Sequence, residues 1–205
     1  MANQIDKTEP PALPLAPEQY NRPFMDQNSN VLRLFFNRLV RTIDTLLSTE
    51  DGGRFLYMPR ALFYSTTNQT AAVVNTGYPV EFENTYISNG VSIVNDTRIT
   101  VTSAGMYNFQ VTMQTAHTNS SDAKVTTWIN KSGTDVPYGG QVQTVKGNAT
   151  RALYWNFSID MVADDYIEMY WATDDTTLSL YTEAATALHP GVPSTIVAVS
   201  FVSNL

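Results

Sequence analysis

A chain of 205 residues with 43% hydrophobic side chains can bury a sizeable core, as one large domain or as a domain with an appendage. Charged residues are only 15% and the net charge is −7, which argues against nucleic acid as a partner, and the absence of cysteine excludes disulfides and thiolate chemistry. The N-terminal MANQIDKTEPP lacks the basic-then-apolar pattern of a signal peptide, and no apolar run approaches the ~20 residues of a membrane span.

The charge is unevenly placed. Residues 1–60 hold seven basic and seven acidic side chains, whereas residues 61–205 hold five and twelve. The split coincides with a shift in composition and marks a boundary, giving an arm (1–27), a helix (28–53) and a β head (54–205).

Residues 1–27 contain Pro10, Pro11, Pro14, Pro17 and Pro23. That spacing forbids helix and favours an extended, polyproline-like arm. With few backbone donors and no core, such an arm orders only on an outside surface, where Leu15, Tyr20 and Phe24 would supply the buried contacts. The plainer reading is a flexible tail.

Residues 29–48, SNVLRLFFNRLVRTIDTLLS, read as a helix. Asn28, Ser29 or Asn30 can cap its start, and Gly52-Gly53 lie past its end. Leu32, Phe36, Leu39, Ile43 and Leu46 form a heptad seam of just over two repeats, too few to be stable alone. Val31, Phe35, Val40 and Leu47 widen the apolar face, so the helix is expected to pack in a trimer or on the β head. Arg33, Arg38 and Arg41 fall on the opposite face.

The head is read as strands. In GMYNFQVTMQT (105–115), Tyr107, Phe109, Val111 and Met113 alternate with polar residues, giving one apolar and one polar face. Gly105 stands where the chain must turn. Leu153, Trp155, Phe157, Ile159 and Met161 repeat the pattern, and DDYIEMYWA (164–172) adds a third run. Strands are predicted near 79–83, 91–102, 105–117, 123–131, 136–146, 149–161, 164–173, 176–182 and 194–203, separated by turn signals such as Asn89-Gly90, Ser132-Gly133 and Gly147-Asn148. Regular long strands of this kind make a sandwich or barrel. The last strand, STIVAVSFVS, is apolar on both faces, so it is expected to be central and covered by another copy of the chain.

Catalytic signals are weak. His117 and His189 are the only histidines, and no G-x-S-x-G, H-E-x-x-H or P-loop pattern occurs. A glycan-cleaving site would need paired carboxylates across a cleft, and Asp160, Asp164 and Asp165 are too close in sequence for that. Asp164-Asp165, Asp174-Asp175 and Glu168 are oxygen ligands of the kind calcium takes, but their spacing is not that of an EF-hand, and solvated turn carboxylates are the favoured reading. Neither a cofactor nor an enzyme activity is expected.

Two stretches resemble known families. GMYNFQV, VTTWINKSGTDV, VADDYIEMYWA and the closing STIVAVSFV, in that order, resemble the complement C-one-q and tumour-necrosis-factor superfamily. Gly105, Tyr107 and Phe109 match its G-x-Y-x-F strand; Asp165, Ile167 and Met169 match its later G-D-x-(V/I)-x-(V/L) strand, with Asp164 replacing the glycine. The resemblance covers about 77–205. It implies a ten-stranded jelly roll trimerising about its long axis, with Leu32, Phe36, Leu39, Ile43, Leu46, Tyr107, Phe109, Ile167 and Phe201 at the trimer interface.

YNRPFMDQNSNVLRLFFNRLVRTID resembles the start of bacteriophage virion proteins that carry a Y-x-R-x-(Y/F)-x-D-Q-x-x-N-x-L-R-L-(Y/F)-F-N-x-L anchor before a variable β domain. The resemblance implies a homotrimeric capsid decoration or cement knob, or a short head fibre. It would be made in the bacterial cytoplasm and held at the virion surface through Leu15, Tyr20, Arg22, Phe24 and Asp26, on the major capsid protein or another virion protein. The alternative is the receptor-binding tip of a tail fibre, touching a bacterial surface glycan or protein with Tyr138, Tyr154 and Trp171.

Overall fold

The computed structural model describes residues 11–13, 15, 17–47 and 58–204, and the chain divides into two units after Tyr57. The first unit is built on one helix, α1 (Arg22–Leu47). It starts about two turns earlier than the capping candidates suggest. Asn21 is the cap: its side-chain Oδ1 accepts the Phe24 N–H at 3.2 Å, and its backbone carbonyl accepts the Met25 N–H at 3.1 Å. Pro23 sits in the first turn, where its missing N–H leaves no hydrogen bond unmade. Residues 22–27 are therefore helical, not part of an extended arm. Arg22 and Asp26, one turn apart, lie 3.9 Å from each other. No described residue of α1 is buried. The expected glycine stop at Gly52-Gly53 lies outside the described residues.

The second unit is all β. Its strands are β1 (Arg60–Ser65), β2 (Gln69–Thr70), β3 (Tyr78–Pro79), β4 (Asn84–Asn89), β5 (Val91–Val94), β6 (Arg98–Val101) and β7 (Gly105–His117). They continue with β8 (Ala123–Lys131), β9 (Thr134–Val145), β10 (Ala149–Met161), β11 (Tyr166–Thr173), β12 (Leu178–Leu180) and β13 (Thr195–Ser203). All named pairings are antiparallel. One sheet runs β4-β1-β13-β7-β10, with β12 taking over from β13 along the end of β7 and β2 beside β12. The other runs β5-β6-β11-β8-β9, with β3 also on β11.

Alternation builds the core. From β7, Tyr107, Phe109, Val111 and Met113 point inward; β13 adds Val197, Val199 and Phe201, and β1 adds Phe63. The second sheet contributes Ile99, Val125, Ile129, Ile167, Met169 and Trp171. Each such side chain contributes about 1.5–3 kcal/mol through burial. Phe109 and Phe157 stack with centroids 5.0 Å apart, and Tyr107 meets Phe201 edge-on at 5.6 Å.

Three of the expected strands, 105–117, 123–131 and 149–161, stand as read. Three expectations are corrected. The single strand expected at 91–102 is a hairpin, because Asn95 (φ 53°) and Asp96 (φ 59°) form a tight left-handed turn between β5 and β6. β1 and β4 are additional strands, and β1 is interior, between β13 and β4. The last strand is indeed interior, but only Thr195, Val197, Val199 and Phe201 are buried; Ile196 and Ala198 are partly exposed and Val202 is exposed. Gly105 opens β7 because of a close approach. A Cβ there would overlap the Phe201 ring and stand 2.7 Å from the Ser203 carbonyl oxygen.

Candidate functional site

The outward face of the second sheet carries an ordered group of aromatic and polar side chains. Trp128 and Tyr170 are direct cross-strand partners on β8 and β11. Their rings are inclined by only 20°, with centroids 5.6 Å apart, and both are partly exposed. The indole is fixed from two more sides. Its Nε1–H donates to Asp135 Oδ1 at 3.2 Å, and Gly77 lies so close that a Cβ there would stand 2.8 Å from the ring. Asn130 donates to the same Asp135 oxygen at 3.1 Å, while its own Oδ1 is buried without a partner.

Further along the same face of β11 stand Glu168 and Tyr166. Glu168, 7% exposed, accepts hydrogen bonds from the Thr97 hydroxyl at 3.0 Å and Arg98 Nε–H at 3.3 Å. The Arg98 guanidinium sits 4.7 Å above the Tyr166 ring. Burial and then the Glu168 carboxylate push the Tyr170 phenol up, so it remains a protonated donor at neutral pH.

A bulge in β9 supplies Asp135. The β8–β9 register shifts between Trp128 and Asn130, whose partners are Gly140 and Asp135. The extra residues include Tyr138, fully exposed and left-handed at φ 60°. A large side chain in that conformation is strained.

The sequence-predicted residues are placed as follows. Of the receptor candidates, Tyr138 lies on the β9 bulge and Tyr154 is exposed on β10 of the other sheet, while Trp171 is buried in the core against Tyr78. The three do not form one site, and Trp171 has no surface to offer. Tyr107, Phe109, Ile167 and Phe201, expected at a trimer interface, are inside the sandwich of their own chain. The Tyr107 hydroxyl is spent on the Ser103 carbonyl at 2.8 Å. An alternating apolar face fits a core as well as an interface, and here the opposite sheet covers it. On α1, Leu32 and Leu39 are partly exposed, while Phe36, Ile43 and Leu46 are exposed, Phe36 at 55%. Leu15 and Tyr20 are exposed; Arg22, Phe24 and Asp26 belong to the first turns of α1.

The carboxylates considered for calcium are engaged locally. Asp165 meets Lys131 at 3.1 Å and accepts from Ser132 and the Val162 N–H. Asp175 caps Thr177 and accepts from Asn119, and Asp174 accepts the Lys124 N–H. Among the described residues, no group of three or more His, Cys, Asp or Glu is placed to hold a metal ion. His117 is buried at the end of β7, with Nε2 3.2 Å from Asp175 and Nδ1 unpartnered, an arrangement that ties the end of β7 to the β11–β12 loop. No helix among the described residues is long and apolar enough to cross a membrane.

Sequence reasoning missed Trp128, Tyr170, Asp135 and Arg98. Trp128 and Tyr170 are 42 positions apart, and only the β8–β11 pairing joins them. Searched against protein-family models and against curated proteins, the chain matches none.

Proposed function

We propose that the chain is a homotrimeric structural protein of a bacteriophage virion, a capsid decoration knob or short head fibre. Its N-terminal segment would be the anchor and its β unit the displayed head. The observation that carries this reading is α1. Its 26 residues hold a heptad seam, Leu32, Phe36, Leu39, Ile43 and Leu46, yet no residue of the helix is buried. A helix this apolar is stable in water only when its stripe is covered, and a 4-3-4-3 stripe suits copies of itself.

Two features of the head support the same reading. Its chain passes between the sheets at β2–β3, β3–β4, β4–β5, β6–β7, β7–β8, β9–β10, β10–β11 and β11–β12, and such repeated crossing is compatible with a jelly roll. β10 is an edge strand of 13 residues in unbroken register with β7, with Trp155, Phe157 and Ile159 only partly buried. So long and regular an edge invites covering by another copy. This surface replaces Tyr107, Phe109, Ile167 and Phe201 as the head contact between copies.

Sedimentation equilibrium of the full chain tests the reading. A species of three times the 22.8 kDa chain mass is expected; a stable monomer overturns it. Particle localisation by labelled antibody separates head from tail, and labelling of the capsid surface is expected.

A further inference from the structure

We propose that the outward face of the second sheet is a saccharide-binding platform, with Trp128 and Tyr170 as its stacking surface and Asp135, Asn130 and Arg98 as its hydrogen-bonding border. The proposal is independent of the virion reading, since the platform lies within one chain.

The geometry selects the ligand class. The two rings stack on each other with planes inclined by 20°, which makes a layered aromatic shelf with near-parallel faces, not the crossed faces that enclose an ammonium cation. The negative faces of aromatic rings attract the weakly positive C–H groups on one side of a pyranose ring. The hydroxyls around a pyranose rim need donors and acceptors beside such a shelf. Asp135 offers its second carboxylate oxygen, and the Arg98 guanidinium offers N–H groups beyond the Nε–H held by Glu168. Tyr166 stands four residues from Tyr170 along β11, about 13 Å in an extended strand, which leaves room for more than one sugar ring.

Other ligands fit less well. Asp135, Glu168 and the net charge of −7 oppose phosphate-rich nucleic acid. A protein partner would be anchored on a wider apolar patch than two rings bordered by carboxylates.

The shelf is also built to hold still. Trp128 is fixed by Asp135, by Tyr170 and by Gly77, so little rotamer freedom is lost on binding. The bulge that delivers Asp135 keeps Tyr138 exposed in a left-handed conformation that glycine would adopt without strain. A strained, fully exposed aromatic on the element that shapes the shelf is accounted for if Tyr138 caps a bound sugar.

The test uses the full-length protein on a printed array of defined oligosaccharides, followed by titration of the strongest binder. The reporter is the Trp128 indole N–H resonance of 15N-labelled protein. Binding is expected with a shift of that resonance. Trp128→Ala and Tyr170→Ala should each weaken binding by at least about tenfold, the scale of a buried aromatic anchor. Asp135→Asn should weaken it several-fold. Tyr138→Gly should lower affinity while the melting temperature stays level or rises, a combination a purely structural role would not produce. If Trp128→Ala fails to fold, Tyr170→Ala and Tyr138→Gly carry the test. Binding to no oligosaccharide on the array overturns the proposal. So does binding that survives both Tyr170→Ala and Asp135→Asn, or binding of tetramethylammonium in preference to sugar.

Discussion

The helical unit and the β unit solve the problem of apolar surface in opposite ways. The β unit closes two sheets over Phe63, Tyr107, Phe109, Ile167, Trp171 and Phe201, each nearly inaccessible to water. The helix has a comparable supply of large side chains, yet Leu34, Phe36, Val40, Ile43 and Leu47 remain exposed and nothing on it is buried. A sheet pair can internalise its apolar faces within one chain, whereas a lone helix has no second layer. The head should therefore be stable by itself, and the helix only in company.

The contrast breaks most decisively by truncation. A chain beginning at Met58 should melt cooperatively, whereas one beginning at Thr66 should not fold, because it lacks β1 and leaves β13 without its neighbour. A peptide of residues 22–47 should gain helicity with concentration, since a single amphipathic helix of this length is marginal in water. Circular dichroism checks both parts; a peptide fully helical at high dilution would abolish the distinction.

Point substitutions in the two units should then diverge. Phe109→Ala removes a fully buried ring stacked on Phe157 and should cost about 3–5 kcal/mol in urea unfolding of the head. Phe36→Asp with Leu39→Asp should leave the head's unfolding midpoint unchanged while dispersing the oligomer, since a charge in an apolar seam costs several kcal/mol. Sedimentation and urea titration of both variants read the difference. An unchanged mass for the helix variant would mean that α1 does not assemble the chain.

A smaller effect is expected at Gly105. Gly105→Ala forces a methyl against the Phe201 ring and the Ser203 carbonyl, and overpacking of this kind costs about 1–3 kcal/mol. A melting temperature equal to that of the parent would show that β13 yields easily.

The smallest effect is acid sensitivity, and it belongs to the head. The Thr177 N–H and hydroxyl, with Asn119, hold Asp175 well below the usual carboxylate range. For Asp165, burial pushes the carboxyl up, but the Val162 N–H, Lys131 and Ser132 outweigh it. A depressed carboxyl binds its proton less readily folded than unfolded. Its contribution is complete above the unfolded value of about 3.9 and is lost as pH falls through the folded one. The head's melting temperature should drop on acidification below about pH 4, and Asp165→Asn should flatten that slope.

Legibility followed the range of the physical signal. β7, β8 and β10 could be read to their end residues because each buries one face and ends at a turn. The β5–β6 turn escaped notice because Asn95-Asp96 takes left-handed backbone without a glycine. β1 was hidden because RALFYS follows another apolar stretch and has no turn residue before it. The start of α1 was placed late because Pro23 reads as a helix breaker unless Asn21 is recognised as the cap.

By itself, the sequence determined that this is a mainly β protein preceded by an apolar helix, and which residues of each long strand share a face. Both are local matters, since side chains alternate every two residues in a strand and recur every 3.6 in a helix. Only the tertiary structure decided what each face meets. Tyr107, Phe109, Ile167, Phe201 and Trp171 turned out to face their own core, and Trp128, Tyr170 and Asp135 came together on the opposite side of one sheet. Periodicity tells that a face is apolar but not whether a sheet of the same chain or another molecule covers it; strand pairing between residues far apart in sequence settles that.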